Sequence, residues 1–343
     1  MSTRVVFFGT PQFAVPSLKK LLAHSDFEVL AVVTQPDKRR GRGGKVTPSP
    51  VKAAALEVGC PIWQPVRIKK DAETLAQLAA LGADAFVVIA YGQILSQEIL
   101  DMPRLGCVNA HGSILPRYRG AAPIQWCIHD GVIETGVTTM LMDAGMDTGP
   151  MLVEETIPVH STDNAWDVAS QLSVLSADLL VDTLQKLQQQ MIRPLPQDEA
   201  QATYAPLIQK SDYVLDWQKS AKSIHDKVRG FYPNAVTQFR EKALKVSVTL
   251  PLGEPYWPQL SDELSAIQPL YAAAEISEAA APGSVLAILK NYGPVIQTGD
   301  GHLLLLEVKP AGKKALSGWD FANGSRIELD EELGEELGEK LGE

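Results

Sequence analysis

The first 110 residues alternate short, unbroken apolar runs with segments whose apolar residues recur every three or four positions. Strands buried on both faces need continuous apolar sequence, and helices laid over them need one apolar stripe. The alternation therefore predicts a sheet with helices on both sides. Val5 to Phe8, Val29 to Thr34, Ala85 to Ala90 and Gly106 to Asn109 are the expected strands, and Phe13 to Ala23, Pro50 to Val58 and Ala72 to Leu81 the expected helices. Gly136 to Met142 and Met151 to Pro158 read as further strands, and Asn164 to Met191 as a long amphipathic helix. Together they make an α/β fold with a doubly wound, mostly parallel sheet, whose ligand chemistry belongs beyond the carboxyl ends of its strands.

After Arg193 the texture changes. Residues 194–206 are polar and carry prolines, which reads as a linker and bounds a first domain at 1–193. Beyond it one helical segment, Ser220 to Phe231, precedes the short apolar runs Leu244 to Thr249, Val285 to Leu289, Val295 to Thr298 and Leu303 to Lys309, separated by Gly, Pro and Asp turns. Such spacing predicts a small antiparallel β-barrel over 207–327. No repeat of 20 to 50 residues is present.

Composition fits two such domains in 343 residues, but charge changes the picture. The formal net charge of -10 argues against a polyanionic partner only if it is evenly spread. It is not: residues 328–343 read ELDEELGEELGEKLGE, eight acids and one Lys, and residues 251–282 hold five acids and no Lys or Arg. Both read as solvated acidic segments, an insert and a tail, expected to project away from the folded domains, with the tail dispensable for activity. Without them the remaining chain is slightly basic. Cys60, Cys107 and Cys127 are widely spaced and form no metal-binding pattern, so no metal is expected. No secretion signal or run of about 18 apolar residues is present, which reads as a cytoplasmic protein without a membrane span.

The turn Gly9-Thr10-Pro11-Gln12-Phe13 links a strand to a helix but lacks the glycines of a dinucleotide fingerprint. More chemistry sits in Asn109 to Gly120, NAHGSILPRYRG, directly after an apolar strand. Asn109 and His111, two residues apart in extended chain, point the same way and can converge on one atom. The polar turn Asp143 to Gly149 follows the next strand and offers Asp143 and Asp147. An amide donor, an imidazole and a carboxylate suit acyl transfer, where an oxyanion is stabilised and a proton moved. The bland alternatives are a structural His and turn-forming Asp residues. Ser113 as a nucleophile lacks the G-x-S-x-G elbow. The loop Gln35 to Pro50 carries Lys38, Arg39, Arg40, Arg42 and Lys45 among glycines and prolines, either a solvated flexible loop or a mobile arm for phosphates.

These residues resemble the methionyl-tRNA formyltransferase family over roughly residues 4 to 325. The motifs are FFGTPQFAVPSL, TQPDKRRGRGGK followed by TPSPVK, VVIAYGQIL, GCVNAHGSILPRYRGAAPIQW, TGVTTMLMDAGMDTGPML and PAGKKALSGWDFANG. The resemblance implies a Rossmann-like formyltransferase domain followed by an OB-like barrel. It further implies that Asn109, His111 and Asp147 take catalytic positions in transferring the formyl group of 10-formyltetrahydrofolate to the amine of methionyl initiator tRNA, by a bacterial monomer. Folate would lie against Ser113, Ile114, Leu115 and Pro116, with Ala90, Tyr91, Gly92 and Asp143 near the pterin. Arg39, Arg40, Arg42 and Lys45 would meet the tRNA acceptor stem. On the barrel, Lys210, Lys227, Arg229, Lys245, Lys309, Lys313 and Lys314 match a basic RNA-binding face. Enzymes that formylate a small amine or a nucleotide sugar, or that hydrolyse formyl-folate, would share the trio but need neither the arginine loop nor a basic second domain. An RNA-binding module without catalysis would keep the cations and lose the trio.

Overall fold

The computed structural model describes residues 2–40, 45–254, 256–259, 262–274, 276 and 280–334. In chain order the first elements are β1 (Thr3–Gly9), α1 (Val15–Ala23), β2 (Phe27–Val33), β3 (Lys38–Arg40), β4 (Lys45–Thr47), α2 (Pro50–Glu57), β5 (Ile62–Trp63), α3 (Ala72–Leu81) and β6 (Ala85–Ile89). Then come α4 (Gln97–Leu100), β7 (Cys107–His111), α5 (Pro123–His129), β8 (Glu134–Leu141), β9 (Met151–Pro158) and α6 (Ala165–Gln188). The remainder comprises α7 (Ala221–Gly230), β10 (Val236–Phe239), β11 (Lys242–Leu252), α8 (Asp262–Ser265), α9 (Ile267–Ala272), β12 (Val285–Leu289), β13 (Gly293–Gln297), β14 (His302–Pro310), β15 (Leu316–Ser317) and α10 (Gly318–Ser325). Two units result: Met1–Pro123, Glu134–Pro158 and Asp167–Pro206 form the first, and Ile124–Ile133, Val159–Trp166 and Leu207–Glu343 the second.

The first unit holds a seven-stranded sheet ordered β5-β2-β1-β6-β7-β8-β9. The strands β5, β2, β1, β6 and β7 run parallel, while β8 and β9 add as antiparallel neighbours. Strand β6 is buried along its whole length, as its unbroken AFVVI run requires. Helix starts are encoded locally: the Ser49 hydroxyl accepts the Lys52 N–H at α2, and the Asp71 carboxylate accepts the Thr74 N–H at α3. Chain order reverses between β1 and β6, so a crevice opens beyond their carboxyl ends.

Two loop readings change. The basic segment is not an irregular loop but pairs β3 with β4, Arg39 opposite Val46 and Arg40 opposite Lys45; Arg42 lies outside the described residues. Its base is anchored, since Asp37 binds Lys52 Nζ at 2.6 Å and Gln64 Nε2 at 2.8 Å, contacts that hold the Asp37 carboxyl below its usual range. The stretch 194–206, read as a linker, is bonded to the first unit: Leu195 pairs with Met151, and the Arg119 N–H donates to the Thr203 carbonyl.

In the second unit an antiparallel sheet runs β10-β11-β14-β13-β12, with β15 on β14 and α7 and α10 packed against it. Both acidic segments depart from the expectation that they project into solvent. In the insert, Leu264, Ile267 and Tyr271 recur at helical spacing; Ile267 is fully buried, and the other two pack on Leu250, Leu252, Leu286 and Leu304. The Tyr271 hydroxyl hydrogen-bonds His302 Nδ1 at 2.6 Å. Apolar burial, not charge, decides the position of this segment.

The start of the tail completes the sheet. Glu332 pairs with Ser284, next to β12, and Leu333 pairs with Phe239 of β10, so these residues join the two edges of the sheet. The Leu333 N–H donates to the Gly283 carbonyl at 2.9 Å and the Gly334 N–H to the Gln238 carbonyl at 3.0 Å. Gly283 has φ 100°, and a Cβ there would stand 2.5 Å from the Leu333 carbonyl oxygen, so the junction needs glycine. Residues 335–343 lie outside the described residues.

Candidate active site

The strand period sets Asn109 and His111 on one face of β7, at its carboxyl end. Asn109 is half-buried, and its side-chain amide makes no hydrogen bond to a described residue. His111 is 6% exposed, with Nε2 2.9 Å from the Tyr118 carbonyl oxygen. A carbonyl only accepts, so Nε2 carries the hydrogen and Nδ1 is the nitrogen that faces Asp147, 3.7 Å from Oδ2.

Asp147 reaches this position through a tight turn between β8 and β9. The Asp143 carboxylate accepts the Gly145 N–H at 3.0 Å and the Thr148 hydroxyl at 2.7 Å, closing the turn on itself. Asp147 stands at φ 54°, in the left-handed region, where a short polar side chain is tolerated. A Cβ on Gly149 would fall 1.8 Å from the Leu141 carbonyl oxygen, so only glycine lets the chain re-enter the sheet here. Asp147 Oδ2 also accepts the Gly120 N–H at 2.9 Å. The carboxylate is thus aimed from two sides.

Sequence reasoning missed the support behind that turn. Gln197 donates from Nε2 to the carbonyls of Asp147 and Gly149 at 2.8 and 2.7 Å, and its Oε1 accepts Arg119 Nε at 2.9 Å. Arg119, fully buried, makes a two-pronged bond to Glu199 at 2.7 and 2.9 Å and holds the Glu199 carboxyl below its usual range. Arg119, which follows His111 in the NAHGSILPRYRG segment, is therefore structural. No spacing signal links Gln197 to a turn 50 residues away.

Tyr91 is buried between Ala90 (φ 47°) and Gly92 (φ 83°), and its carbonyl accepts Thr10 Oγ1 at 3.0 Å and Gln35 Nε2 at 3.3 Å. Its hydroxyl is buried without a partner among the described residues, and burial raises its pKa. Ser113 is no nucleophile: it is fully buried and its hydroxyl donates to the Arg117 carbonyl at 2.7 Å. Thr138 fixes the segment, donating to the Ser113 carbonyl and accepting the Leu115 N–H. Ile114, Leu115 and Pro116 line a groove of about 530 Å³ with Met151, Val153 and Leu195, whereas Gly92 lines a different cavity. Four of the eight sequence-predicted folate residues thus line two separate grooves of the first unit, whereas Ser113, Ala90, Tyr91 and Asp143 line neither of them.

On the second unit, Lys210, Lys245 and Lys309 line a cavity of about 400 Å³ with Tyr213 and Asn234; Lys313 lines its neighbour with Arg240 and Lys242, and the two cavities share Ala243, Pro310 and Ala311. The lysines of the two cavities are thus neighbours, whereas Arg240 among them is paired with Glu331 at 2.6 Å. Arg229 does not belong to this group: it is 6% exposed, pairs with Asp226 at 2.6 Å and donates to the carbonyls of His160 and Asp163. The Asp226-x-x-Arg229 spacing places acid and base on one face of α7, so the ion pair and not a phosphate claims the guanidinium. Lys227 is half-buried, and burial lowers its pKa.

Comparison with known proteins places these features in a class. Residues 3–184 match the formyl transferase family and residues 207–326 the formyl transferase C-terminal domain, so the chain is a formyl transferase built of both modules. It is 61% identical over 329 residues to the methionyl-tRNA formyltransferase of Trichormus variabilis and 58% identical over 329 residues to that of a Cyanothece species; each alignment covers 96% of this chain and 98% of the relative. The N-formyltransferase of Helicobacter canadensis, solved with folinic acid and dTDP-3-aminofucose, shares the fold at TM-score 0.61 and 17% identity, over 89% of this chain and 99% of that one. The chain belongs to the methionyl-tRNA formyltransferase family.

Proposed function

We propose that this protein transfers the formyl group of 10-formyltetrahydrofolate to the α-amine of methionyl initiator tRNA, as a cytoplasmic bacterial monomer. No helix among the described residues is long and apolar enough to cross a membrane. The observation that carries the reading is the pairing of His111 with Asp147 at 3.7 Å beside the uncommitted amide of Asn109.

In the reaction the methionyl amine attacks the formyl carbon, a C–N bond forms, and the carbonyl electron pair moves onto oxygen. Asn109 donates to that oxyanion, and His111, as the imidazolium, stabilises its charge. Asp147 holds the ring and relays the amine proton through water to N10 of the folate, whose bond to carbon breaks as the carbonyl reforms. Formyl-methionyl-tRNA and tetrahydrofolate leave; no acyl-enzyme is formed.

For the folate, the backbone of Ala90, Tyr91 and Gly92 and the Asp143–Asp147 turn serve the pterin, with Ile114, Leu115 and Pro116 as apolar wall and Ser113 as their internal support. For the tRNA, Arg39, Arg40, Arg42 and Lys45 of the basic segment and Lys210 and Lys313 of the second unit meet phosphates. Under this reading His111→Ala keeps the fold and loses transfer by on the order of 100- to 1000-fold. Full activity of that variant, measured as formyl-methionyl-tRNA formed, removes the oxyanion role from His111.

A further inference from the structure

In the otherwise exposed run 195–200, only Gln197 turns inward far enough to be half-buried. What its amide meets there is the turn that carries Asp147: Nε2 lies 2.8 Å from the Asp147 carbonyl oxygen and 2.7 Å from that of Gly149, while Oε1 lies 2.9 Å from Arg119 Nε. We propose that Gln197 is a positioning residue for formyl transfer, holding the backbone of this turn so that the carboxylate faces His111, and acting on turnover through Asp147 alone. The proposal rests on the catalytic reading above and adds the side chain that keeps its carboxylate in place.

The partners fix the orientation of the amide. A carbonyl oxygen only accepts and a guanidinium Nε only donates, so the amide nitrogen faces the turn and the amide oxygen faces the arginine. Both N–H groups are then spent on the turn, one at Asp147 itself and one at Gly149. Asp147 needs such a clamp. Its φ of 54° is a conformation that a residue with a Cβ adopts at a cost and keeps only where its surroundings over-determine it.

The clamp is itself held. Arg119 is fully buried, and its other two nitrogens bind the two oxygens of Glu199 at 2.9 and 2.7 Å, on the same segment as Gln197. One guanidinium thus fixes the amide and ties down the stretch of chain that presents it. That stretch also reaches the histidine's side of the pair. The Thr203 hydroxyl accepts the Tyr118 N–H at 2.8 Å and its carbonyl accepts the Arg119 N–H at 2.9 Å, while the Tyr118 carbonyl is the group that accepts His111 Nε2–H. Gln197 bears on the carboxylate side only, so its loss is felt as a misplaced Asp147 and not as a lost substrate contact.

The test uses two substitutions of matching length in the full-length enzyme. Gln197→Glu puts an acceptor where the turn needs two donors and keeps a partner for Arg119; Gln197→Met removes donors and acceptor alike without adding charge. Each should lower kcat by on the order of 10- to 100-fold, the cost of moving a reacting group by up to about 1 Å. The KM for 10-formyltetrahydrofolate and that for methionyl-tRNA should both stay within about twofold of wild type. In the Asp147→Asn background the same substitutions should cost less than about twofold, since the displaced turn then carries no carboxylate to misplace. Wild-type kcat in either folded variant, a rise in KM without a fall in kcat, or an equal loss with and without the Asp147 carboxylate overturns the proposal. Full turnover of Asp147→Asn by itself brings down the catalytic reading, and the positioning role falls with it.

Discussion

Truncating the chain within its acidic tail gives opposite results on the two sides of Gly334. Removing residues 328–343 takes away Leu333, which is 4% exposed and belongs to the cluster of Trp217, Phe239 and Phe321. Emptying a buried leucine site costs about 2–5 kcal/mol. It also strips the strand bonds from Leu333 and Gly334 and the half-exposed Arg240–Glu331 pair at 2.6 Å, the latter contributing at most about 1 kcal/mol. A net loss near 4 kcal/mol lowers the Tm of the second unit by on the order of 10 °C, because 1 kcal/mol moves a unit of roughly 150–250 residues by roughly 2–4 °C. Thermal scans followed by tryptophan fluorescence include the signal of Trp217, one of six tryptophans; three chains suffice, full length, 1–334 and 1–327. The first two should melt together and the third well below them, and Leu333→Ala in the full chain should reproduce most of the loss. If 1–327 melts with 1–334, the edge-joining role of residues 331–334 is wrong and the whole tail is dispensable.

Other consequences are read in the same way. Gly149→Ala should destabilise the first unit by about 1–3 kcal/mol and lower kcat, since its Cβ meets the Leu141 carbonyl oxygen at 1.8 Å and the turn carrying Asp147 must shift; unaltered kinetics would show that the turn does not aim the carboxylate. Burial lowers the pKa of His225 to about 4, between Thr249 and the Ser161 carbonyl. Between pH 6.5 and 4 the unfolded chain takes up a proton that the folded chain refuses, so stability is full above pH 6.5 and falls by about 3 kcal/mol as pH drops through that window. Urea titrations at several pH values in wild type and His225→Asn should show a shallower slope in the variant; equal slopes reject the assignment. Replacing Arg39, Arg40 and Arg42 by Ala should raise KM for tRNA severalfold with folate binding unchanged, as loss of phosphate contacts requires; an unchanged tRNA response retires that role.

The parallel sheet was legible because its strands are buried on both faces, and AFVVI at β6 or the apolar run before Asn109 admits few other readings. The trio was legible because Asn109 and His111 share a strand face and Asp147 sits in a glycine-rich turn. What supports the trio was not: Gln197 and Glu199 act across long sequence separations and carry no local signature, which is why their segment read as a linker. Charge misled in both directions. Leu333 and Ile267 lie in segments that were judged by their acids, and their burial depends on the surface they meet rather than on the charge of their segment. Arg229 counted as a phosphate contact until its partner three residues earlier was seen to be buried with it.

Asn109, His111 and Asp147 are proposed above as the site of formyl transfer. The decisive measurement incubates the full-length enzyme with 10-formyltetrahydrofolate and methionyl initiator tRNA and follows formyl-methionyl-tRNA, alongside Asp147→Asn. The wild type should transfer, and the variant should bind tRNA normally yet turn over on the order of 100-fold or more slowly. Absence of transfer to methionyl-tRNA together with formylation of a small amine, or full turnover in Asp147→Asn, would contradict that assignment.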